Sequence, residues 1–242
     1  MQNRYTGDIG DFGKLGLLRF LHSAGLSIGV NWYLVPDETH NGDGRHVQYL
    51  NDERFRKCDE SLWFELKHIV DSEKRAVSAL ENERILDARF FSVPLVFSAQ
   101  SRSEREKARK KWHGKALDTL KGLDVVFVDP DNGIIVPSAL GTMKENKYVK
   151  PEELVSYFEQ GSSIIYYQHK ARRPDSFYLD QHRELLERMR SSRAFGLGLK
   201  FVKTSQRYYF FIVQPSHREL ITECIEDMLL SPWKNSFSIC SF

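Results

Sequence analysis

The run DVVFVD, residues 124–129, is almost wholly apolar and ends in a carboxylate. A short apolar run of this kind is typical of a central parallel strand that is buried on both faces. Open α/β sheets bind ligands beyond the carboxyl ends of their strands. The stretch therefore predicts a parallel sheet and places Asp129 at the edge of that sheet where a ligand would bind.

The segments on either side of this run alternate between extended and helical patterns, as βαβ units do. We expect further strands over residues 27–35, 85–93 and 162–168. We expect helices over residues 11–24, 103–120, 152–160, 174–193 and 216–230. Residues 46–84 read as a helical insertion in two or three pieces.

Two further strands are expected near the end of the chain, over residues 194–203 and 207–214. They must pair antiparallel, because the three residues between them are too few for a parallel crossover. The expected fold is α/β with a doubly wound, mostly parallel, Rossmann-like sheet and a C-terminal antiparallel hairpin. It forms a single domain, residues 1–242, in which residues 1–24 hold an N-terminal motif and a helix. Another mixed α/β domain is the alternative.

The composition is that of an ordinary folded protein, with 242 residues of which 41% are apolar and 28% are charged. No apolar run approaches the roughly 18 residues that span a bilayer, and the N-terminus is polar where a signal peptide would be apolar. We therefore expect a cytoplasmic protein without a membrane partner. Cys58, Cys224 and Cys240 form no close pair and predict neither a disulfide nor a zinc site.

The formal net charge of +2 does not by itself predict nucleic-acid binding, but two basic clusters stand out. Between Arg102 and Lys115 there are seven Lys or Arg residues against two Glu. A second cluster follows the strand expected at residues 162–168. Either a solvated surface or a surface that binds phosphates explains such clusters. The candidate nucleic-acid-binding residues are Arg109, Lys110, Lys111, Lys170, Arg172 and Arg173.

Three separated segments carry a resemblance to a known family. They are GDIGDFGK at residues 7–14, THNGDGR at residues 39–45 and VDPDNG at residues 128–133. They resemble the opening Gly-Asn-x-x-Asp-x-x-Lys, the cofactor loop Thr-His-Ala-Gly-x-Gly-Arg and the Asp-Pro-Pro-Tyr/Phe motif of one family. That family is the ribosomal RNA adenine methyltransferases that modify a 6-amino group of the large-subunit RNA.

The resemblance implies a class I fold and S-adenosylmethionine as the cofactor. It implies cofactor binding by Lys14, His40, Gly42 and Gly44. Glycines after a strand also allow the backbone to approach a ligand closely. In the family's third motif the acid and a backbone carbonyl accept hydrogen bonds from the target amine, and the aromatic ring stacks on the flipped base.

The candidate catalytic residues are accordingly Asp129, Asp131 and Asn132. Asp131 and Asn132 replace the family's second proline and aromatic residue, so stacking worth about 1–3 kcal/mol is missing at that position. The acceptor is therefore left open between a nucleic acid, RNA or DNA, and another nucleobase-like amine. For the acid that holds the cofactor ribose at the end of the second strand, Asp87 is the candidate.

Two other classes of function remain open. Asp129 together with Gln168-x-Lys170 imitates the acid and Gln-x-Lys of restriction-type nuclease cores, in which carboxylates hold a divalent metal. The second open class is a non-catalytic descendant of the methyltransferase fold, which would bind a nucleotide or nucleic acid without transferring a methyl group. His40, Asp43 and His46 are more simply explained as polar loop residues than as a zinc site, so no metal is expected. The oligomeric state is not predicted.

Overall fold

The computed structural model describes residues 1–38, 44–82, 84–98, 101–189, 192–204 and 206–240. The helices within these residues are α1 (Ile9–Ser23), α2 (Glu53–Arg56), α3 (Glu60–Asp71), α4 (Val77–Leu80), α5 (Arg102–Leu120), α6 (Pro151–Glu159), α7 (Asp175–Arg188) and α8 (Arg218–Leu230). The strands are β1 (Ile28–Asn31), β2 (Arg89–Phe91), β3 (Val125–Val128), β4 (Gly133–Ile134), β5 (Tyr148–Val149), β6 (Ser163–His169), β7 (Phe195–Phe201), β8 (Arg207–Val213) and β9 (Phe237–Ile239).

A mostly parallel sheet of seven strands lies at the centre, in the order β2-β1-β3-β6-β8-β7-β9. Strand β3 pairs in parallel with β1 and with β6, as its apolar sequence predicts, and all four of its residues are buried. β1 also pairs in parallel with β2. The chain order changes direction between β1 and β3, which is the kind of position where open α/β sheets bind ligands.

Strand β8 runs against its neighbours and lies between β6 and β7, with antiparallel pairing on both sides. Within the β6–β8 pair, His169 lies opposite Arg207. The beginning of β8 is therefore at the same edge of the sheet as the carboxyl ends of β3 and β6. Strands β4 and β5 form a separate parallel pair next to this edge.

Alternate residues of the strands contribute to two apolar clusters, as the period-2 geometry of a strand requires. Phe127 belongs to the cluster that includes apolar residues of α1, α3 and α8. Val126 and Val128 belong to the cluster that includes residues of α5, α6 and α7. Helices therefore pack on both faces of the sheet. In the described part of the chain, no helix is long and apolar enough to cross a membrane.

Several elements are shorter than the sequence pattern predicts. The expected strand over residues 27–35 ends at Asn31. The Trp32 amide still donates to the Phe91 carbonyl of β2, but Tyr33 has φ of +43°, outside the extended region, and the Val35 amide donates to the Met1 carbonyl. The expected strand over residues 85–93 is reduced to β2, so Asp87 precedes the strand.

Candidate functional site

A cavity of about 310 Å³ opens at the carboxyl ends of the parallel strands. Asp129, Asp131 and Asn132 reach it directly after β3. Tyr167 and His169 reach it from the end of β6. This is the edge of the sheet at which the sequence predicts a ligand site.

Helix α1 brings part of the N-terminal motif to the same cavity. The Asp8 carboxylate caps the helix, because it accepts hydrogen bonds from the backbone amides of Gly10 (2.7 Å) and Asp11 (3.1 Å). Asp11 and Lys14 follow on the same side of the helix, since residues three apart are neighbours on a helix surface. All three polar side chains line the cavity.

The centre of the site is an ion cluster that joins segments more than a hundred residues apart. The Lys14 ammonium lies 2.5 Å from Asp129 Oδ2 and 3.0 Å from Asp11 Oδ1. All three side chains are at most 5% exposed. Burial alone would lower the pKa of Lys14, but the two carboxylates raise it above its ordinary value. This lysine is therefore held charged.

The two carboxylates of the cluster respond to burial in the opposite way. Burial raises the pKa of Asp129 above its ordinary value, although Lys14 opposes the change. Burial likewise raises the pKa of Asp11, against the attraction of the same ammonium. Two carboxyl groups thus share one cation in a region with little water, an arrangement that is typical of functional sites.

The third carboxylate of the site, Asp131, is held by the beginning of the chain. The Met1 ammonium lies 2.7 Å from Asp131 Oδ1 and donates to the Asp129 carbonyl at 3.0 Å. The side-chain amide of Gln2 donates to Asp131 Oδ2 at 2.6 Å. Burial would raise the pKa of Asp131, but the ammonium and the amide lower it below its ordinary value. Asp131 therefore anchors the N-terminal segment onto the loop after β3.

Asn132 is fixed by its backbone. Its amide donates to the Lys147 carbonyl (3.1 Å), and its carbonyl accepts from the side-chain amide of Gln168 (3.0 Å). Gln168 Oε1 in turn accepts from the Ile134 amide at 2.9 Å. A Cβ atom on Gly133, whose φ is +104°, would lie 2.1 Å from Gln168 Oε1. The Asn132 side chain is therefore held at the wall of the cavity by a closely packed loop.

Gly44 also lines the cavity, with φ of +84°. A Cβ atom on this residue would lie 2.5 Å from the Arg4 carbonyl oxygen, so the glycine allows the loop to pack against the N-terminal segment. His40 and Gly42, the other glycine-loop candidates, lie outside the described residues. Asp43 also lies outside the described residues, whereas His46 lines the cavity.

Arg207 is a cavity residue that sequence reasoning missed. It is 5% exposed and lines the cavity beside His169. A Cβ atom on Gly10 would lie 1.6 Å from its guanidinium, so the glycine leaves room for the arginine across the first turn of α1. The glycines of the N-terminal motif indicate that another group packs closely against the start of α1. That this group is Arg207 could not be predicted without the register of β8.

The structure corrects the expected basic surface at one position. Arg109 is 2% exposed and its guanidinium binds the Glu153 carboxylate at 2.6 Å, so it is a core residue of α5. Lys110 and Lys111 of the same helix are exposed. In the second cluster Arg172 and Arg173 are exposed, and Lys170 pairs with Asp175 at 3.2 Å.

Two other candidates are placed away from the cavity. Asp87 is exposed, precedes β2 and lies near His22, so it is not at the carboxyl end of the second strand; this corrects its assignment to the cofactor ribose. Gln168 and Lys170 do not line the cavity that holds Asp129. Among the described residues no group of His, Cys, Asp or Glu has a geometry that could hold a metal ion. The Gln-x-Lys pair of the nuclease alternative is thus absent from the lining of this cavity, although carboxylates other than Asp129 are present there.

The cavity holds charge of both signs, and much of it is already paired within the protein. Lys14 is paired with Asp11 and Asp129, and Lys147 is paired with Glu38. Asp8 and Arg207 line the same space. S-adenosylmethionine, the cofactor that the resemblance implies, also carries groups of both signs, and the volume of the cavity is at the lower end of ligand pockets, about 300–1,000 Å³. No protein-family model matches the chain, and a search of curated proteins found no significant match.

Proposed function

We propose that the chain is an S-adenosylmethionine-dependent methyltransferase-like protein that acts on an amine of a nucleic acid or of a nucleobase-like acceptor. The fold it would use is the doubly wound Rossmann-like sheet with a C-terminal hairpin that is found in class I methyltransferases. The antiparallel strand β8 near one edge of a mostly parallel sheet is consistent with that fold, and β9 adds a second antiparallel strand at the edge itself.

One observation carries the proposal. Each segment of the resemblance contributes described residues to a single cavity at the carboxyl ends of the strands: Asp11 and Lys14 from the first, Gly44 from the second, Asp129 and Asn132 from the third. These residues are far apart in the chain, and their convergence at one cavity supports the proposal. The ion pair between Lys14 and Asp129 joins the first and third segments directly.

The cofactor would supply an electrophilic methyl group, and the residues of the chain would hold the acceptor near it. Lys14 binds Asp129 Oδ2 and so fixes the plane of the carboxylate. We assign the other oxygen of Asp129 to a hydrogen bond from the acceptor amine, which orients the lone pair of the nitrogen. Asn132 would accept or donate a second hydrogen bond. Alignment at about 3–3.5 Å is most of what such a transfer asks of a protein.

The test is transfer of a labelled methyl group from S-adenosylmethionine to single-stranded RNA and DNA. We expect Asp129→Asn to lower transfer by at least about 100-fold, because a misplaced acceptor loses that much rate. The matched control is Asp180→Asn, an exposed aspartate on α7, which should stay within about twofold of the unchanged protein. Equal transfer by the two variants, with both folded, contradicts the assignment of Asp129.

A further inference from the structure

A second cavity, of about 510 Å³, adjoins the first. Asn132 and His169 line both cavities and so form the wall between them. The loop that carries Asn132 is clamped by Gln168, which is 6% exposed and binds the backbone on both sides of Gly133. The wall is therefore a fixed feature of the fold, and a ligand in the second cavity would reach the candidate acceptor-binding residues from the other side.

The second cavity is lined by aromatic rings, although Asn132 itself has none. Tyr148 lies on β5, opposite Gly133 in the register of the small second sheet. Phe177 lies in the first turn of α7. Both residues are half-buried and line the cavity. We call Tyr148 and Phe177 the aromatic wall.

The position of the Phe177 ring is itself supported by buried neighbours. Tyr178 is 4% exposed, and its ring lies 5.3 Å from that of Phe177 in an edge-on arrangement. The Tyr178 hydroxyl accepts from the Ala171 amide at 2.8 Å, which ties the start of α7 to the loop after β6. Phe177 is thus pre-positioned on a rigid element, as a recognition surface needs.

Positive charge lies at the rim of the same cavity. The Arg173 guanidinium is 5.5 Å from the centre of the Phe177 ring, and Arg173 lines the cavity. Arg172 beside it is exposed. The nearest acid along the chain, Asp175, is engaged by Lys170 and by Lys200. The guanidinium lies over the Phe177 ring and not at its edge. Aromatic rings with an arginine against one of them match a planar base and its phosphate, because aromatic side chains stack on bases and arginine binds phosphate in a bidentate manner.

We infer that the second cavity binds one nucleotide unit, with its base against the aromatic wall and its phosphate at Arg173. The exocyclic amine of the base would then point toward Asn132 and the first cavity. This inference rests on the proposed function, which it extends by naming the acceptor as a nucleotide. The ring that is missing at position 132 is on this account supplied by Tyr148 from the neighbouring strand.

The experiment is a fluorescence titration of the full chain with three probes: adenosine monophosphate, a single-stranded RNA and a single-stranded DNA of the same sequence. We expect Tyr148→Leu and Phe177→Leu each to weaken oligonucleotide binding by about 10-fold, the range of one lost stacking contact. Arg173→Gln should weaken binding and also reduce its dependence on salt. Comparison of the three probes shows whether the nucleotide bound in the second cavity comes from a free nucleotide, from RNA or from DNA.

The matched controls are Phe64→Leu, a half-exposed ring on α3, and Arg188→Gln, an exposed arginine at the other end of α7. Neither residue lines the second cavity. Both should bind each probe within about twofold of the unchanged protein. Oligonucleotide binding that is equal in all five variants, or no binding of any probe, overturns the inference.

The same variants are titrated with S-adenosylhomocysteine to keep the two proposals apart. If the unchanged protein binds this ligand and the aromatic-wall variants lose only oligonucleotide binding, both proposals are supported. If the ligand binds but the rings make no difference to oligonucleotides, the inference alone fails. Ring-dependent oligonucleotide binding without any adenosyl ligand supports the nucleotide site and contradicts the proposed methyltransferase.

Discussion

Lys14 is the residue on which the geometry of the site depends most directly. It is 4% exposed and has carboxylate oxygens of both Asp11 and Asp129 within 3.0 Å. A buried cation of this kind compensates two negative charges that would otherwise repel each other without solvent. The same ammonium also lies 5.7 Å from the centre of the Trp32 ring.

We predict that Lys14→Met lowers the free energy of unfolding by about 3–5 kcal/mol, because it leaves buried carboxylates without a counter-charge. Adding Asp129→Asn to this variant should restore part of the loss, since one of the two uncompensated charges is then removed. Urea denaturation of the single and double variants measures both effects. A Lys14→Met variant as stable as the unchanged protein would show that the cluster is solvated.

Part of the site could be predicted from residues alone. The strand ending at Asp129 and the N-terminal motif point to Asp129 and Lys14, and the two lie in contact. Arg207 and Tyr148 could not be predicted, because they reach their cavities through strand register and through a small second sheet that leave no mark in the sequence. Arg109 was misplaced because charge patterning does not show which lysine or arginine has a buried partner.

At the scale of elements, helix α1 presents Asp11 and Lys14 only if its first turn is formed. Asp8 satisfies two backbone amides of that turn. The family that the N-terminal segment resembles has asparagine at the position of Asp8. Asparagine and aspartate are about equally good N-caps, so the difference between the two sequences is small in physical terms.

We predict that Asp8→Ala lowers the free energy of unfolding by about 1 kcal/mol, the usual effect of removing an N-cap. Asp8→Asn should stay within about 0.5 kcal/mol of the unchanged protein, since it keeps an oxygen acceptor for the two amides. Thermal and urea unfolding of the two variants check this. Equal losses in both would mean that the charge of Asp8, and not its capping bond, matters here.

Elements were predicted better than their ends. Helix α5 was expected over residues 103–120 and occupies Arg102–Leu120, because its Ser101 cap and its polar composition are local features. The strand expected over residues 27–35 is much shorter, because Tyr33 leaves the extended conformation and the Val35 amide takes a partner outside the sheet. Local pattern cannot distinguish an apolar strand from an apolar extended segment that packs elsewhere.

At the scale of the whole molecule, the mostly parallel sheet followed from the buried run at residues 124–129. The order of the strands did not, since a sequence pattern carries no record of which strands are neighbours. Long-range pairing places β8 between β6 and β7, and this brings Arg207 to the site. The two apolar clusters, one on each face of the sheet, likewise form only when all the strands are paired.

The stability of the protein at acid pH tests whether His182 of α7 is buried as a neutral ring in its apolar cluster. His182 is fully buried, its ring lies 4.7 Å from that of Phe210, and its Nδ1 is 2.9 Å from the Tyr166 hydroxyl. Burial lowers the pKa of His182 from 6.5 to about 3. The folded protein therefore holds this ring neutral, while the unfolded chain takes up a proton as the pH falls below 6.5.

We predict that stability is full above pH 7 and falls as the pH drops from 6.5 toward 3. Between pH 7.5 and pH 4.5, the free energy of unfolding should fall by roughly 3 kcal/mol less in His182→Gln than in the unchanged protein, because each unit of pKa shift corresponds to 1.36 kcal/mol. Urea titrations at several pH values measure the difference. Parallel curves for the two proteins would show that His182 is protonated in the folded state.

The measurement that tests the central claim most directly is calorimetric titration of the protein with S-adenosylmethionine and S-adenosylhomocysteine, and separately with magnesium and manganese. We predict that both adenosyl ligands bind at one site and that Asp129→Asn leaves their affinity within a few-fold. Gly10→Val should abolish binding, because its side chain would displace Arg207 into the cavity. Absence of adenosyl binding, together with metal binding that Asp129→Asn weakens, would contradict the account and favour a nuclease.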